Sequence, residues 1–176
     1  MPSYLVDGYN VIHREPALKP LLERDAEAAR TGLISMLAGF RAGRRVRVTV
    51  VFDGRGGTGL DARTIAAGVQ VVYAHFSETA DARIVRLVRS SRHPRSLTVV
   101  SSDLGLVAQC RDFGASSLGA EEFLARCREV AGRPAAGRGG NGDRAEVTPG
   151  EAAQVNAELE RHYRDRGVYD RRERPR

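Results

Sequence analysis

Short apolar runs alternate with more polar segments along the first 130 residues of the chain. The runs are rich in β-branched residues, a composition typical of buried strands, and the first two end in an acidic residue followed by glycine. This pattern predicts strands at 3–7, 46–53, 69–74, 97–101 and 115–118.

The segments between these runs have the periodicity of amphipathic helices. Apolar residues at spacings of three and four predict one buried face of a helix that ends near Gly43. Further helices are predicted from about Thr79, over 103–112 and over 120–130. Nearly continuous apolar strands that alternate with helices predict an α/β fold, a doubly wound and mainly parallel sheet of about five strands with helices on both faces. The residues that define the first helix face are Ala29, Leu33, Met36, Leu37 and Phe40.

The composition changes abruptly after Val130, where the chain becomes rich in glycine and arginine. Such a stretch has little to bury, so we expect a flexible linker over 131–148. Apolar residues then recur every four positions after Pro149 and predict a short helix, followed by a basic tail. The chain is therefore expected to contain one domain at 1–130 and an appendage at 149–176.

Composition and charge narrow the class of protein. Hydrophobic residues make up 41% of the chain, and the apolar runs are far shorter than the ~20 residues of a membrane helix. The N-terminal segment also lacks the apolar stretch of a signal peptide, so we expect a cytoplasmic protein without a membrane partner. The chain has 28 basic and 22 acidic residues, and every basic residue except Lys19 is an arginine. This excess of arginine favours a polyanionic partner. Cys110 and Cys127 have no metal-ligand spacing and are expected to be reduced and buried.

Acidic residues stand where four of the predicted strands end. Asp7, Asp53 and Asp103 follow the first, second and fourth of these strands, and Glu78 and Asp81 follow the third. Ligands of open parallel sheets bind beyond the carboxyl ends of the strands, which are about 4.8 Å apart, so these carboxylates are expected to converge. Hard oxygen ligands without nearby histidine or thiolate suit Mg²⁺ or Mn²⁺.

Each of these acidic residues also has a structural interpretation. An aspartate after a strand commonly forms a turn or caps the next helix, and both Asp81 and Asp103 are compatible with that role. Asn10 follows Asp7 closely, and its amide is suited either to capping the next segment or to holding a metal-bound water or a phosphate. The candidate site depends on the whole constellation rather than on any one residue.

Five motifs give a more specific indication, and they occur in the order YLVDGYNVIH, VTVVFDG, SETADARIVRLV, LTVVSSDLGLV and FGASSLGAEEFL. In these motifs the chain resembles the YacP-like NYN family, a branch of the PIN-like nucleases, over about residues 3–130. The resemblance implies a PIN-like α/β/α sheet, a divalent metal ion held by acidic residues, and endonucleolytic cleavage of RNA. Cleavage of messenger RNA on the ribosome is implied for some members.

The resemblance also suggests roles for individual residues. It places Asp7 and Asp81 at the principal acidic positions of the family and Asp103 at the acidic position after the fourth strand. Those three residues are the expected metal ligands in a divalent-metal-dependent endoribonuclease. Asn10 matches the asparagine of the first motif, and Asp53 matches the acid of VVFD. Glu78 or Asp53 is expected to orient the attacking water or to assist a second ion.

Two other classes of function compete with this interpretation. The glycines between positions 54 and 59 fit the pattern of a dinucleotide-binding loop, but Asp53 and Asp61 flank that loop and would repel a pyrophosphate. A non-catalytic module of the same fold that binds RNA or the ribosome is the stronger alternative. Metal-dependent cleavage of a labelled RNA would separate the three classes.

The C-terminal tail generates a first prediction. Residues 161–176 contain seven arginines and three acidic residues, a local net charge of +4. If the tail is an electrostatic tether, deleting 131–176 should leave turnover at saturating RNA nearly unchanged, while weakening RNA binding and flattening its salt dependence. The measurement is the RNA dissociation constant from low to moderate salt. Identical slopes for the full-length and truncated proteins would show that these arginines do not contact RNA.

Overall fold

The computed structural model describes residues 1–54, 63–75 and 77–132, and in this part of the chain the strands form one six-stranded sheet. The strands are β1 Ser3–Asp7, β2 Arg47–Phe52, β3 Arg63–Ala66, β4 Val69–Tyr73, β5 Leu97–Val100 and β6 Ser116–Leu118. The helices are α1 Gly8–Arg14, α2 Lys19–Arg24, α3 Ala26–Arg44, α4 Ala80–Arg89, α5 Leu104–Asp112 and α6 Ala120–Ala131. The predicted linker beyond Gly132 and the predicted helix and tail at 149–176 lie outside the described residues.

The strand order is β3-β4-β2-β1-β5-β6, which puts β1 in the interior of the sheet. β1 pairs in parallel with β2 on one side and with β5 on the other, whereas β3 is antiparallel to β4 at the edge. The chain thus builds one side of the sheet after β1 and crosses to the other side with β5. Parallel sheets of this kind bind ligands at such a switch point, beyond the carboxyl ends of the strands. Here the switch point lies between β1 and β5.

Helices cover both faces of the sheet, as the sequence predicts. On one face the ring of Tyr4 in β1 packs against Phe40 of α3 and Phe123 of α6, with ring centroids 5.2 and 5.8 Å away. On the other face Leu5 belongs to a buried cluster that includes Ile84 of α4. Successive β1 residues therefore pack in opposite layers, which holds the end of the strand firmly in place.

The predicted strands at 3–7, 46–53, 69–74 and 97–101 are confirmed as β1, β2, β4 and β5, and that at 115–118 as β6. The predicted helices are confirmed as α3, α4, α5 and α6. β3, α1 and α2 were not predicted from the sequence. α1 and α2 are short, and α2 buries none of its residues, so neither carries a clear periodic pattern.

The missed strand β3 forms a hairpin with β4. The connecting residues Ala67 and Gly68 both have positive φ, at 48° and 76°. Two such residues in succession make the kind of tight turn that matches the twist of antiparallel strands. Only Gly68 is a recognisable turn signal, because alanine is unusual in this conformation.

Two further predictions concern the cysteines and membrane helices. Cys110 and Cys127 are both buried and free, as predicted, and burial raises the pKa of their thiols to about 11 and about 12. Among the described helices, none is long and apolar enough to cross a membrane.

The loop after β2 generates a prediction about stability. A Cβ atom on Gly54 would overlap the backbone carbonyl oxygen of Ala74, whereas a Cβ atom on Gly39, which is exposed in α3, would meet nothing within 4 Å. Gly54→Ala should therefore lower the free energy of unfolding by about 1–3 kcal/mol. Gly39→Ala should raise it by about 0.5–1 kcal/mol through helix propensity. Urea denaturation of both variants checks the pair, and a tolerated Gly54→Ala would contradict this packing.

Candidate active site

Asp7 is a buried carboxylate at the switch point. It ends β1 and is 7% exposed. Its Oδ1 accepts a hydrogen bond from the backbone N–H of Asn10 at 3.2 Å, and its Oδ2 accepts one from the hydroxyl of Ser101 at 3.1 Å. Burial raises the pKa of Asp7 to about 6 even though both hydrogen bonds lower it, and the charges of Asp81 and Asp53 raise it further. The carboxylate is thus a poorly solvated, destabilised anion at neutral pH.

The other predicted aspartates form an electrostatic chain with Asp7, in which the charges of Asp53 and Asp81 act on Asp7 and those of Asp103 and Asp53 act on Asp81. Asp81 is in the first turn of α4, Asp53 directly follows β2, and Asp103 precedes α5. Burial raises the pKa of Asp81, and the charges of Asp103 and then Asp53 raise it further. The structure therefore brings Asp7, Asp53, Asp81 and Asp103 together at the carboxyl edge of the sheet.

Three of these four aspartates also bind a helix N-terminus. Asp7 caps α1, and Asp103 caps α5 by accepting a hydrogen bond from the backbone N–H of Leu106 at 2.8 Å. Asp53 accepts one at 2.6 Å from the backbone N–H of Ala80, the first residue of α4. In the described part of the chain, Asp53 and Asp103 use Oδ1 for these bonds. Capping by Asp53 and Asp103 thus engages one carboxylate oxygen of each, whereas both oxygens of Asp7 already accept hydrogen bonds.

Asp81 differs from the other aspartates in this respect. The side-chain cap of α4 within its own segment is the hydroxyl of Thr79, which accepts from the backbone N–H of Ala82 at 3.2 Å. The sequence-based suggestion that Asp81 itself caps the helix is therefore not supported. Its carboxylate lies near the positive end of the helix dipole, where a negative charge is favourable.

Asn10 and two serines connect the end of β1 to the loop after β5. The Asn10 side-chain oxygen accepts a hydrogen bond from the backbone N–H of Ser102 at 2.9 Å. Ser101, which is 2% exposed, donates to Asp7 and accepts from the backbone N–H of Asp103 at 3.1 Å. Through these bonds the loop that carries Asp103 is fastened to Asp7. Neither serine was predicted from the sequence, where their only signal is their position just before Asp103 in the SSD triplet.

The structure places Glu78 with arginines. Its Oε2 lies 2.8 Å from a guanidinium nitrogen of Arg86 and 3.9 Å from one of Arg83. Arg83 is itself buried, at 2% exposure. The pKa values of Asp7 and Asp81 are both raised, but the charge of Glu78 is not among the causes of either shift. Glu78 therefore stands apart from the four aspartates in the electrostatics of the site.

A tyrosine–arginine pair, also missed from sequence, borders the aspartates. Arg30 of α3 donates a hydrogen bond to the hydroxyl of Tyr9 at 3.0 Å. The Tyr9 ring packs edge-on against Phe52, with centroids 5.4 Å apart, and Phe52 stacks on Tyr73 at 5.8 Å. Phe52 and Tyr73 end the neighbouring strands β2 and β4. A cation and two partly exposed aromatic rings therefore lie on the same edge as the carboxylates.

The donors at this edge suit a hard divalent cation. They are carboxylates and a hydroxyl, and neighbouring negative charges help to raise the pKa of Asp7 and of Asp81, so a cation would relieve this repulsion. Among the described residues, no three acidic, histidine or cysteine side chains converge as a ready-made metal-binding group. The fit to Mg²⁺ or Mn²⁺ thus rests on ligand chemistry and shared charge, and binding would draw the side chains together.

The raised pKa of Asp7 generates a prediction about stability and pH. In the folded protein the pKa of the Asp7 carboxyl group is about 6, whereas an aspartate in the unfolded chain has a pKa of 3.8. Stability should therefore rise as the pH falls from 8 to 4, by up to about 3 kcal/mol from this group. Asp7→Asn removes that cost and retains an oxygen to cap α1. It should be more stable than the wild type at pH 7.5 and equal to it near pH 4.

Urea denaturation from pH 4 to 8 measures this difference. Asp112→Asn, an exposed aspartate at the end of α5, is the matched control and should not change with pH in this way. A wild type that is more stable than Asp7→Asn at pH 7.5 would contradict a destabilising buried charge at this position.

Solved structures with a similar fold come from Bacillus subtilis. A crystal structure of a single-residue mutant of Rae1 (YacP) is 30% identical, with a TM-score of 0.62 over 74% of this chain and 77% of that one. A second crystal structure of Rae1 (YacP) is 25% identical, with a TM-score of 0.62 over 94% of this chain and 84% of that one. These similarities confirm the α/β class and the PIN-like arrangement of sheet and helices.

Sequence comparison agrees with the structures. A curated relative, the uncharacterized protein YacP of Bacillus subtilis (strain 168), is 39% identical over 90 residues. The match covers 51% of this chain and about half the length of the relative, 53%. The model of the YacP-like NYN domain matches residues 4–148, which include all four aspartates of the site. With a nuclease-like fold and a match over most of its length, the chain belongs to the YacP-like NYN domain family.

Proposed function

We propose that this protein is a divalent-metal-dependent endoribonuclease whose active site is the carboxyl edge of the sheet between β1 and β5. The observation that carries the proposal is the buried Asp7 carboxylate, whose pKa is raised by burial and by the nearby charges of Asp81 and Asp53. A perturbed acidic cluster at a topological switch point is typical of a functional site. Membership of an NYN family supports nuclease chemistry over other uses of such a cluster.

In this proposal the aspartates differ in role. Asp7, Asp81 and Asp103 would hold a Mg²⁺ or Mn²⁺ ion, which when bound polarises the scissile phosphate and lowers the pKa of a water molecule. Asp53 is the better candidate for orienting the attacking water, because Glu78 already forms an ion pair with Arg86. Ser101 and Asn10 would keep Asp7 and the Asp103 loop in position through the hydrogen bonds described above.

RNA is the proposed substrate, and messenger RNA on the ribosome is the specific form that we propose. The chain carries a net charge of +6, which favours a polyanion. Arg30 is suited to a phosphate beside the scissile one, and Tyr9 and Tyr73 are suited to stacking on unpaired bases. A substrate of this kind implies action in the cytoplasm.

A second candidate function is a non-catalytic module that binds RNA or the ribosome. One observation favours it, namely that no ready-made metal-binding group exists among the described residues. In that case the aspartates would serve as helix caps and Arg30 and Tyr9 as the RNA contact. The two functions differ in whether metal-dependent cleavage occurs.

Substitutions of the acidic residues test the proposal. Asp7→Asn and Asp81→Asn should each lower RNA cleavage by more than about 100-fold, because each removes a charge that holds the cation, and Asp103→Asn should be nearly as severe. Asp53→Asn and Asn10→Ala should cost about 10–100-fold and be partly rescued by excess Mn²⁺, since such losses in metal affinity can be offset by concentration. Cleavage of labelled RNA across a Mn²⁺ titration measures both the loss of activity in each variant and its rescue by metal.

Thermal melting must accompany these assays, because the substituted residues also hold helix starts and the loop after β5 in place. Glu122→Gln removes an exposed carboxylate from α6 and is the matched control. Near-wild-type cleavage by Asp7→Asn or Asp81→Asn would overturn the metal-site assignment. An Asp53→Asn variant that stays inactive at every Mn²⁺ concentration would place Asp53 among the direct ligands.

A further inference from the structure

A basic cavity lies at the opposite end of the sheet from the aspartates. It has a volume of about 670 Å³. Its lining includes the residues just before β1 and β5 and the first residue of β2, so it opens at the amino ends of the central strands. We name it the amino-end pocket. It is lined by Met1, Arg47, Arg92, His93, Pro94, Arg95 and Ser96.

The pocket is strongly cationic. Three of its lining residues are arginines, and none is acidic. The surrounding sequence does not compensate this charge, because 28–52 and 82–102 contain no aspartate or glutamate. Within the described part of the chain, Arg47, Arg92 and Arg95 form no ion pair. Three guanidinium groups therefore share one concave surface, and none of them has a carboxylate partner among residues 1–54, 63–75 and 77–132.

The loop that carries two of these arginines is ordered by its own hydrogen bonds. Ser96 donates to the carbonyl oxygen of His93 through both its backbone N–H, at 3.0 Å, and its hydroxyl, at 2.8 Å. The backbone N–H of His93 donates in turn to the hydroxyl of Ser91 at 3.2 Å. On the other side of the pocket, Arg47 Nε donates to the Ser3 hydroxyl at 3.2 Å, so one edge of this guanidinium is bound to β1. The backbone that carries Arg92 and Arg95 is thus ordered, and Arg47 is held by its own hydrogen bond, before any ligand binds.

From this arrangement we infer that the amino-end pocket is a second RNA-binding site that holds backbone phosphates. The planar guanidinium fork matches phosphate oxygens, and several such forks around one cavity suit neighbouring phosphates better than an isolated carboxylate. The choice of RNA among polyanions rests on the proposed function. The site itself takes no part in the chemistry, because it lies beyond the other end of β1.

The separation of the two sites sets a length requirement. β1 runs from Ser3 to Asp7, which at ~3.3 Å per residue spans about 13 Å. An RNA that contacts both ends must therefore exceed roughly four stacked nucleotides at ~3.4 Å each. A long RNA should use the pocket, and a four-nucleotide RNA bound at the aspartates should not.

Salt-dependent binding of a labelled 30-nucleotide RNA tests this inference. The measurement uses the full chain carrying Asp7→Asn, with EDTA present, so that neither cleavage nor metal binding contributes. The added triple substitution Arg47→Gln, Arg92→Gln and Arg95→Gln should weaken binding at least tenfold near 0.1 M salt. It should also reduce the slope of log affinity against log salt by about 2, at ~0.7 per phosphate contact on a single strand.

The matched control removes three positive charges from α2 and α6 instead, through Lys19→Gln, Arg24→Gln and Arg126→Gln. It should change the slope by less than 1. Equal changes in the two triples would overturn the proposal, because they would show a diffuse charge effect. Replacing the three pocket arginines by lysine keeps the positive charge and should restore most of the salt slope of RNA binding. This variant also controls for a loss of binding that is caused by misfolding. A lysine triple with the slope of the glutamine triple would also count against phosphate binding.

Two further arms separate this proposal from its rivals and from the proposed function. Binding to phosphatidylserine vesicles that depends on the pocket arginines, with an unchanged RNA slope, would show a membrane ligand and overturn the inference. Cleavage of a four-nucleotide RNA in Mn²⁺, measured with Asp7 intact, should be equal with and without the glutamine triple, and a loss would contradict a site remote from the chemistry. The binding assay contains EDTA and does not depend on cleavage. Its result would therefore still test the second RNA-binding site if the protein proved not to be a nuclease.

Discussion

The burial of the Asp7 carboxylate at the end of β1 is the constraint around which the candidate site is arranged. A charge in that position is costly, and the surrounding residues offset only part of the cost. The backbone N–H of Asn10 and the hydroxyl of Ser101 each bind one carboxylate oxygen, yet the pKa remains raised to about 6. Nearby Asp81 and Asp53 add to the repulsion. A cation at this edge would relieve all of these unfavourable terms at once.

The same aspartates serve the fold. Asp7, Asp53 and Asp103 each satisfy a backbone N–H at the start of a helix, and these helices begin at the carboxyl edge because the strands of a parallel sheet end there. The structural and the functional interpretation of an acidic residue after a strand are therefore not alternatives in this protein. Asp53 and Asp103 each hold a helix through one carboxylate oxygen, and both oxygens of Asp7 accept hydrogen bonds, so the charged groups are fixed before any cation binds.

Much of this arrangement follows from the sequence. The strands that bear the aspartates are continuous apolar runs, so their ends, and hence the shared edge, could be predicted from β-branched patterning alone. The electrostatic grouping of Asp7, Asp53, Asp81 and Asp103 follows from that shared edge. Their role as metal ligands remains a prediction. The pairing of Glu78 with Arg86 depends on side-chain directions that strand and helix assignments do not contain.

Other features could not be predicted for identifiable reasons. β3 is four residues long and depends on a turn in which Ala67 adopts a positive φ, which its side chain disfavours. Ser101 became important only because β5 lies beside β1, a contact across 94 positions of sequence. The bond between Tyr9 and Arg30 likewise joins α1 to α3. Such contacts follow from tertiary packing and leave no local signal.

We propose that the carboxyl edge between β1 and β5 binds a divalent cation. The most direct test is a crystal structure of the full chain in saturating Mn²⁺, with the ion located by its anomalous scattering. The proposed metal site predicts an anomalous peak within coordination distance, about 2.0–2.3 Å, of carboxylate oxygens of Asp7, Asp81 and Asp103. A peak held by other residues, or none at this edge at full Mn²⁺ saturation, would contradict it.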